Sequence, residues 1–217
     1  MTNAREIKLE LYIQLARIAK VLGNPKRLEL LDLLLQVSKP VEMLAHEANI
    51  SVKLASAHLK ELRVARLVNS ERRGKQVFYR LASAEVPQFL SLMRDFAQDR
   101  LFELQDALQH LSQLEGESYS EDQHTLLEKA KAGEMIILDV RPENEFDHAH
   151  FPFAKSIPLA ELKKRLHELP ENVPVTVYCR GPYCIMTADA IQILKQQGYT
   201  ALALKTNATD WAEMQDK

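Results

Sequence analysis

The hydrophobic rhythm of this chain changes once, and that change limits the possible folds more than any other feature. Up to residue 114 the apolar residues recur mostly at helical spacing. Beyond residue 123 they condense into short continuous runs, MIILDV (135–140), VPVTVYC (173–179) and ALAL (201–204), with helical segments between them. Amphipathic helices bury their apolar stripe against one another, whereas continuous apolar strands need cover on both faces of a parallel sheet. The chain is therefore expected to form two domains, a mainly α unit over 1–114 and an α/β unit with a parallel sheet over 124–217. Between them EGESYSEDQ (115–123) is polar, acidic and glycine-containing, which reads as a linker.

A length of 217 residues accommodates two small domains, and 46% hydrophobic with 27% charged residues is ordinary for a core-forming protein. No run of about eighteen apolar residues offers a membrane span, and the first residues, MTNAREIKLE, lack the apolar centre of a secretory signal. A cytoplasmic protein with no membrane partner is expected. The only cysteines, Cys179 and Cys184, share one short segment, CRGPYC. That is no disulfide framework, and two thiols without a nearby histidine make a poor zinc cage, so no metal and no cofactor is expected. Redox or nucleophilic use of the local pair is the reading that remains.

The formal net charge of −2 conceals a division. Residues 1–114 hold 17 Lys and Arg against 13 Asp and Glu, a balance of +4, while residues 115–217 hold 11 against 17, a balance of −6. Within 51–80 eight basic residues face two acidic ones. A near-neutral total is thus compatible with a polyanion partner for the first domain.

Ile7, Leu11, Leu15, Ile18 and Leu22 mark a first helix closed by Gly23, and Asn24-Pro25 caps a second that runs to about Gln36. A short third helix starts at Pro40. Ser51 caps a fourth, to about Arg66, with Leu54, Leu59 and Leu62 expected on its buried side. In LVNSERRGKQVFYRL apolar and polar residues alternate on either side of Arg73-Gly74, which predicts a hairpin. Val86, Phe89, Leu90, Met93, Phe96, Leu104, Leu108 and Leu111 then keep helical spacing over about 29 residues, or roughly 43 Å of helix, long enough to ask for a second subunit as its burial partner.

Two short helices, a turn and a basic hairpin are the parts of a winged helix-turn-helix. The fourth helix offers Ser51, Lys53, Ser56, Ala57, His58 and Lys60 for base and phosphate contacts, and the hairpin tip offers Arg72, Arg73 and Lys75. On LGNPKRLELLDLL (22–34), the helix pair from Val41 to Leu67 and RRGKQVFYRL (72–81), the chain resembles the ArsR family of winged-helix repressors. The resemblance implies a homodimer, joined partly through the terminal helices, on a palindromic operator of double-stranded DNA read by Ser51 to Lys60. Many metal-sensing members carry a cysteine pair on the third helix, where this chain has Val41-Glu42-Met43-Leu44, so soft-metal sensing there is excluded for want of thiolate. Asp95, Asp99, Asp106 and His110 on the last helix are read as a solvated face.

In the second domain a cysteine that ends a buried parallel strand and precedes a tight loop and a helix sits at the sheet edge where α/β sites form. Cys179 has that place, with Arg180, Gly181, Pro182, Tyr183 and Cys184 as its loop, and a helix from about Ile185 to Gln197. Amide N–H groups, a helix N-terminus and the adjacent Arg180 favour a thiolate or persulfide anion there. On LDVRPENEFDHAHFPFAKSIPL (138–159), VYCRGPYC (177–184) and DWAEM (210–214) this half resembles single-domain rhodaneses. The resemblance implies that Asp139 and Arg141 are structural and that Cys179 carries sulfane sulfur as a persulfide. The six-residue loop is similar in length to the sulfur-transferring type rather than to the related phosphatases. The family glycines are missing from HAHFPFA (148–154), and Lys205-Thr206-Asn207-Ala208 replaces a glycine-rich turn. Cys184 is either a resolving thiol or a small apolar residue at the helix start.

Two functions follow as expectations. The chain is a DNA-binding transcriptional regulator whose Cys179 accepts sulfur from a small donor (persulfide, polysulfide or thiosulfate), to sense or transfer it. Alternatively it is a thiosulfate or persulfide sulfurtransferase whose DNA-binding domain acts independently.

Overall fold

The computed structural model describes residues 3–206, so the rhodanese-like match at Asp210–Met214 and the Asn207-Ala208 departure lie outside the described residues. The chain divides into two compact units, Met1–Asp95 and Phe96–Lys217.

The first unit opens with α1 (Ala4–Leu22), capped by Asn3 and Glu6 in a reciprocal box. Helix α2 (Pro25–Gln36) starts as its sequence dictates: the Asn24 side chain accepts the Arg27 N–H at 3.1 Å, and Pro25 occupies the first turn. After β1 (Lys39–Pro40) come α3 (Val41–Glu47) and α4 (Val52–Val64), the latter capped by Ser51 Oγ on the Leu54 N–H at 3.2 Å. The hairpin joins β2 (Val68–Arg73) to β3 (Gln76–Leu81) through Gly74, at φ +61, and Lys75. Positive φ at the turn is what a tight hairpin asks of glycine. Strand β1 adds to β3, giving an antiparallel order β1-β3-β2. Leu30, Leu31, Leu44, Ala55, Leu59, Leu62 and Val68 form the solvent-free centre.

Leu54 is not on the buried side of α4 as expected. It is 43% exposed, and Ala55 takes its place beside Leu59 and Leu62. Positions 55, 59 and 62 follow the i, i+4, i+7 stripe, which leaves Leu54 about 100° around the helix.

The expected continuous helix over 86–114 is also corrected. It is two helices, α5 (Glu85–Arg100) and α6 (Phe102–Glu115), parted by Leu101 in extended conformation at φ −108, ψ 105. No glycine or proline stands at the break, and Pro87 is absorbed in the first turn of α5. The cause is tertiary: α6 packs on α10 (Met186–Gln196), and Lys205 Nζ bonds both Ser112 and Glu115 in its last turn.

The second unit holds α7 (Gln123–Lys131), β4 (Ile136–Asp139), α8 (Glu143–His148), β5 (Lys155–Ser156), α9 (Leu159–Arg165), β6 (Val175–Tyr178), α10 and β7 (Ala201–Ala203). The sheet is parallel throughout, in the order β5-β4-β6-β7. Alternate strand residues bury on opposite faces: Leu138, Val175 and Val177 with Leu162 of α9 and Leu194 of α10, and Ile137 and Tyr178 with Leu126 of α7. The polar stretch at 115–123 takes part in this sheet. Ala203 donates its N–H to the Glu117 carbonyl and accepts that of Tyr119, both at 2.9 Å, which lays residues 117–119 along β7. An edge segment held by its backbone needs no apolar side chains, so its composition resembles that of a linker.

Candidate functional site

Cys179 is the first residue after β6, at the carboxyl edge of the sheet, and only 4% exposed. Its sulfur lies among donors. The Thr187 hydroxyl, in the first turn of α10, donates to Cys179 Sγ at 3.0 Å, and the N–H groups of Gly181 and Thr187 also point at it. Gly181 reaches that position at φ +122, a conformation open only to glycine. Burial alone would raise the thiol's pKa. The opposing hydrogen bonds, from the Cys184 thiol, the Thr187 hydroxyl and these two amides, outweigh it and bring Cys179 down to about 7. The same contact works in reverse on Cys184, whose thiol is pushed well above its ordinary value by its bond to Cys179 and by burial. In its thiol form Cys179 also reaches the Cys184 carbonyl, at 3.7 Å.

Arg180 faces elsewhere. Its guanidinium grips both carboxylate oxygens of Glu145, a buried residue of α8, at 2.5 to 3.1 Å. The thiolate is therefore favoured by aimed dipoles, and Arg180 fixes the loop to α8. Asp139 and Arg141 form a second buried pair, with Arg141 Nη2 at 2.6 Å from Asp139 and 2.7 Å from the Ala149 carbonyl. This anchors the 148–154 segment to the end of β4. Within that segment Phe153 adopts φ +63 and is 60% exposed. The conformation is one that glycine favours and a bulky side chain resists, at a cost of roughly 1–3 kcal/mol.

Pro182 is exposed at the tip of the loop and Tyr183 half-buried. Thr187 and Glu145 were not among the residues singled out from sequence. A hydroxyl in the first turn after the loop is a signal for the former, whereas Glu145 meets Arg180 across 35 positions and leaves no local trace.

The structure brings the expected DNA-facing residues to two surfaces of the first unit. Ser51, Lys53, Ala57 and Lys60 are exposed along α4, with Ser56 and His58 half-buried. Burial and the nearby Arg27 charge hold the His58 imidazole below its ordinary range against the pull of Glu61, so a neutral ring is favoured. Val52 and Leu54 share the exposed side, and an apolar contact of this kind is what a thymine methyl group accepts. At the hairpin tip Arg72 Nε bonds the Gly74 carbonyl at 3.2 Å, and Arg73 pairs with Glu71 at 3.0 Å while lying over the Phe78 ring. Asp106 and His110 make an exposed pair at 3.6 Å on α6. Among the described residues no three His, Cys, Asp or Glu side chains gather as a metal site would require, and no helix is long and apolar enough to cross a membrane.

Comparison with known proteins divides along the same line. Residues 24–70 match the family "Bacterial regulatory protein, arsR family", and residues 122–214 match "Rhodanese-like domain". The HTH-type transcriptional regulator Rv0324 of Mycobacterium tuberculosis is 34% identical over 211 residues, spanning 97% of this chain and 92% of its own length. The putative sulfur carrier protein YrkF of Bacillus subtilis is 32% identical over 103 residues, 43% of this chain and 55% of that protein. Among solved structures, the homodimeric winged helix-turn-helix DNA-binding domain Mb0332 of Mycobacterium bovis is 35% identical, covering 46% of this chain and 91% of that one with a TM-score of 0.42.

Proposed function

The chain belongs to the arsR family of bacterial DNA-binding regulators and carries a rhodanese-like domain, and from that premise we propose that sulfane sulfur loaded on Cys179 controls its operator affinity. One observation carries this reading: a buried cysteine whose sulfur accepts the Thr187 hydroxyl and two backbone N–H groups, with a thiol pKa of about 7. Such a sulfur is nucleophilic at neutral pH, and the donors that hold its thiolate suit a persulfide anion equally. The donor is a small persulfide, polysulfide or thiosulfate. The working protein is a homodimer in the cytoplasm, a reading supported by Leu11 and Leu15 of α1 and Phe96 of α5, all more than half exposed.

A sulfur added at Cys179 occupies space beside Thr187 at the start of α10, and α10 also packs against α6. The signal passes from α6 along the chain to α5. The test is a gel-shift titration with operator DNA, before and after polysulfide treatment, for the wild type and Cys179→Ser. A treatment-dependent change in affinity that vanishes in the variant is expected; identical titrations throughout would sink the reading.

Sulfur transfer to an acceptor is the second reading, favoured by the six-residue span from Cys179 to Cys184. Cyanide-dependent thiocyanate formation, with and without operator DNA, distinguishes turnover from sensing.

A further inference from the structure

Cys184 shares the pocket of Cys179. Its N–H closes a turn on the Gly181 carbonyl at 3.0 Å, which folds the loop back until the Cys184 carbonyl is 3.7 Å from Cys179 Sγ. Both residues pack in the apolar cluster between β6 and α10. We propose that Cys184 is the resolving thiol of this site: it closes a Cys179–Cys184 disulfide and releases the loaded sulfur as sulfide. The inference rests on the reading that Cys179 accepts sulfane sulfur, and it adds a persulfide-consuming activity to that reading.

The chemistry balances with a low-molecular-weight persulfide as the sole co-reactant. In the loading step the Cys179 thiolate attacks the outer sulfur of the donor. The donor's S–S bond breaks, its sulfur leaves as the thiol with the donor's proton, and Cys179 bears the persulfide anion –S–S⁻. In the resolving step Cys184 yields its proton to the outer sulfur, and its own sulfur attacks Cys179 Sγ. The bond from Sγ to the outer sulfur breaks, the bond between the two cysteine sulfurs forms, and HS⁻ departs with the electron pair. The outer sulfur is reduced to sulfide as the Cys184 sulfur is oxidised to the disulfide level.

The resting contact sets the order of events. The nearby Cys179 and burial push the Cys184 thiol well above its ordinary range, so Cys184 keeps its proton while Cys179 is the unmodified thiolate, and the pocket presents one nucleophile. Loading moves the negative charge outward onto the added sulfur. The proton then has an acceptor on the leaving atom. Sulfur loading thus clears itself and leaves a disulfide that cellular thiols reduce.

Full-length protein, reduced and desalted, is mixed with glutathione persulfide, desalted again, and followed by intact mass and by released sulfide. The wild type is expected to lose the mass of two hydrogens, with about one sulfide freed per chain. Cys184→Ser is expected to retain one added sulfur, with a lifetime longer by more than roughly tenfold. Cys184→Ala, with far-UV circular dichroism on both variants, guards against a folding defect. If the wild type keeps its added sulfur as long as both variants do, the resolving role is overturned and loading of Cys179 stands. If Cys184→Ser and Cys184→Ala fold yet take up no sulfur, the loading reading fails and this inference with it.

Discussion

Burial alone would keep the proton on Cys179, and the neighbouring cation of Arg180 is committed to Glu145, so the thiolate depends on the donors around it. The sign of the pH dependence follows. An unperturbed cysteine titrates near 8.5, whereas Cys179 in the folded protein titrates at about 7, so folding favours the thiolate. Its contribution to stability is fully present above the unfolded value and is lost as pH falls through about 7. Alkylation of Cys179 by iodoacetamide, read by mass spectrometry, is expected to accelerate with pH to a plateau, with its midpoint near 7. Thr187→Val removes the hydroxyl that donates at 3.0 Å and is expected to move that midpoint upward without unfolding the domain. A midpoint indifferent to Thr187 would assign the low value to the Cys184 thiol and the amides.

At the scale of elements, the basic residues of the hairpin tip, expected to face DNA, differ in what already holds their charges. Arg73 is engaged with Glu71 and the Phe78 ring, and the Arg72 Nε with the Gly74 carbonyl, while Lys75 stands in the turn itself. Lys75→Ala is expected to weaken operator and non-operator DNA alike and to reduce the salt-dependence slope by about 1, as loss of one phosphate contact does. Arg73→Ala is expected to do less, because binding must first draw Arg73 from Glu71. Fluorescence anisotropy over a salt series measures both, and a variant that lost discrimination instead of uniform affinity would place Lys75 on a base edge. These elements were legible in the sequence because their signals are local: Asn24-Pro25 and Ser51 at helix starts, Gly74 at a turn, a cysteine at the end of an apolar run. Leu54 was misplaced because a one-residue phase error turns a side chain about 100° around a helix. The break at Leu101 carries no residue that breaks helices. Its cause lies in α10 and Lys205, some ninety positions away. Glu145 escaped for the same reason, since the loop meets it only after the sheet has assembled, whereas Thr187 stands in the first turn after the loop and carries a local signal.

At the scale of the whole molecule, the point at which the second unit begins decides what can fold alone. Composition puts that point after residue 123, but α6 and residues 117–119 are built into the α/β unit. Glu115, 7% exposed, meets Lys205; the Ala203 N–H and carbonyl are satisfied by Glu117 and Tyr119; and α6 covers part of α10. A fragment starting at residue 124 strips β7 of these partners and bares the face of α10. A fragment starting at Phe102 keeps them. The shorter piece forfeits two backbone hydrogen bonds and a helix–helix contact, at least about 2 kcal/mol, which for a domain of this size corresponds to roughly 8–16 °C in Tm. Thermal unfolding of both fragments, followed by circular dichroism at matched concentration, is expected to rank them in that order, with the shorter one prone to associate through its exposed α10 surface. Equal Tm values would mean that α6 rides on α10 without stabilising the unit, and would remove α6 from the route proposed between Cys179 and operator affinity.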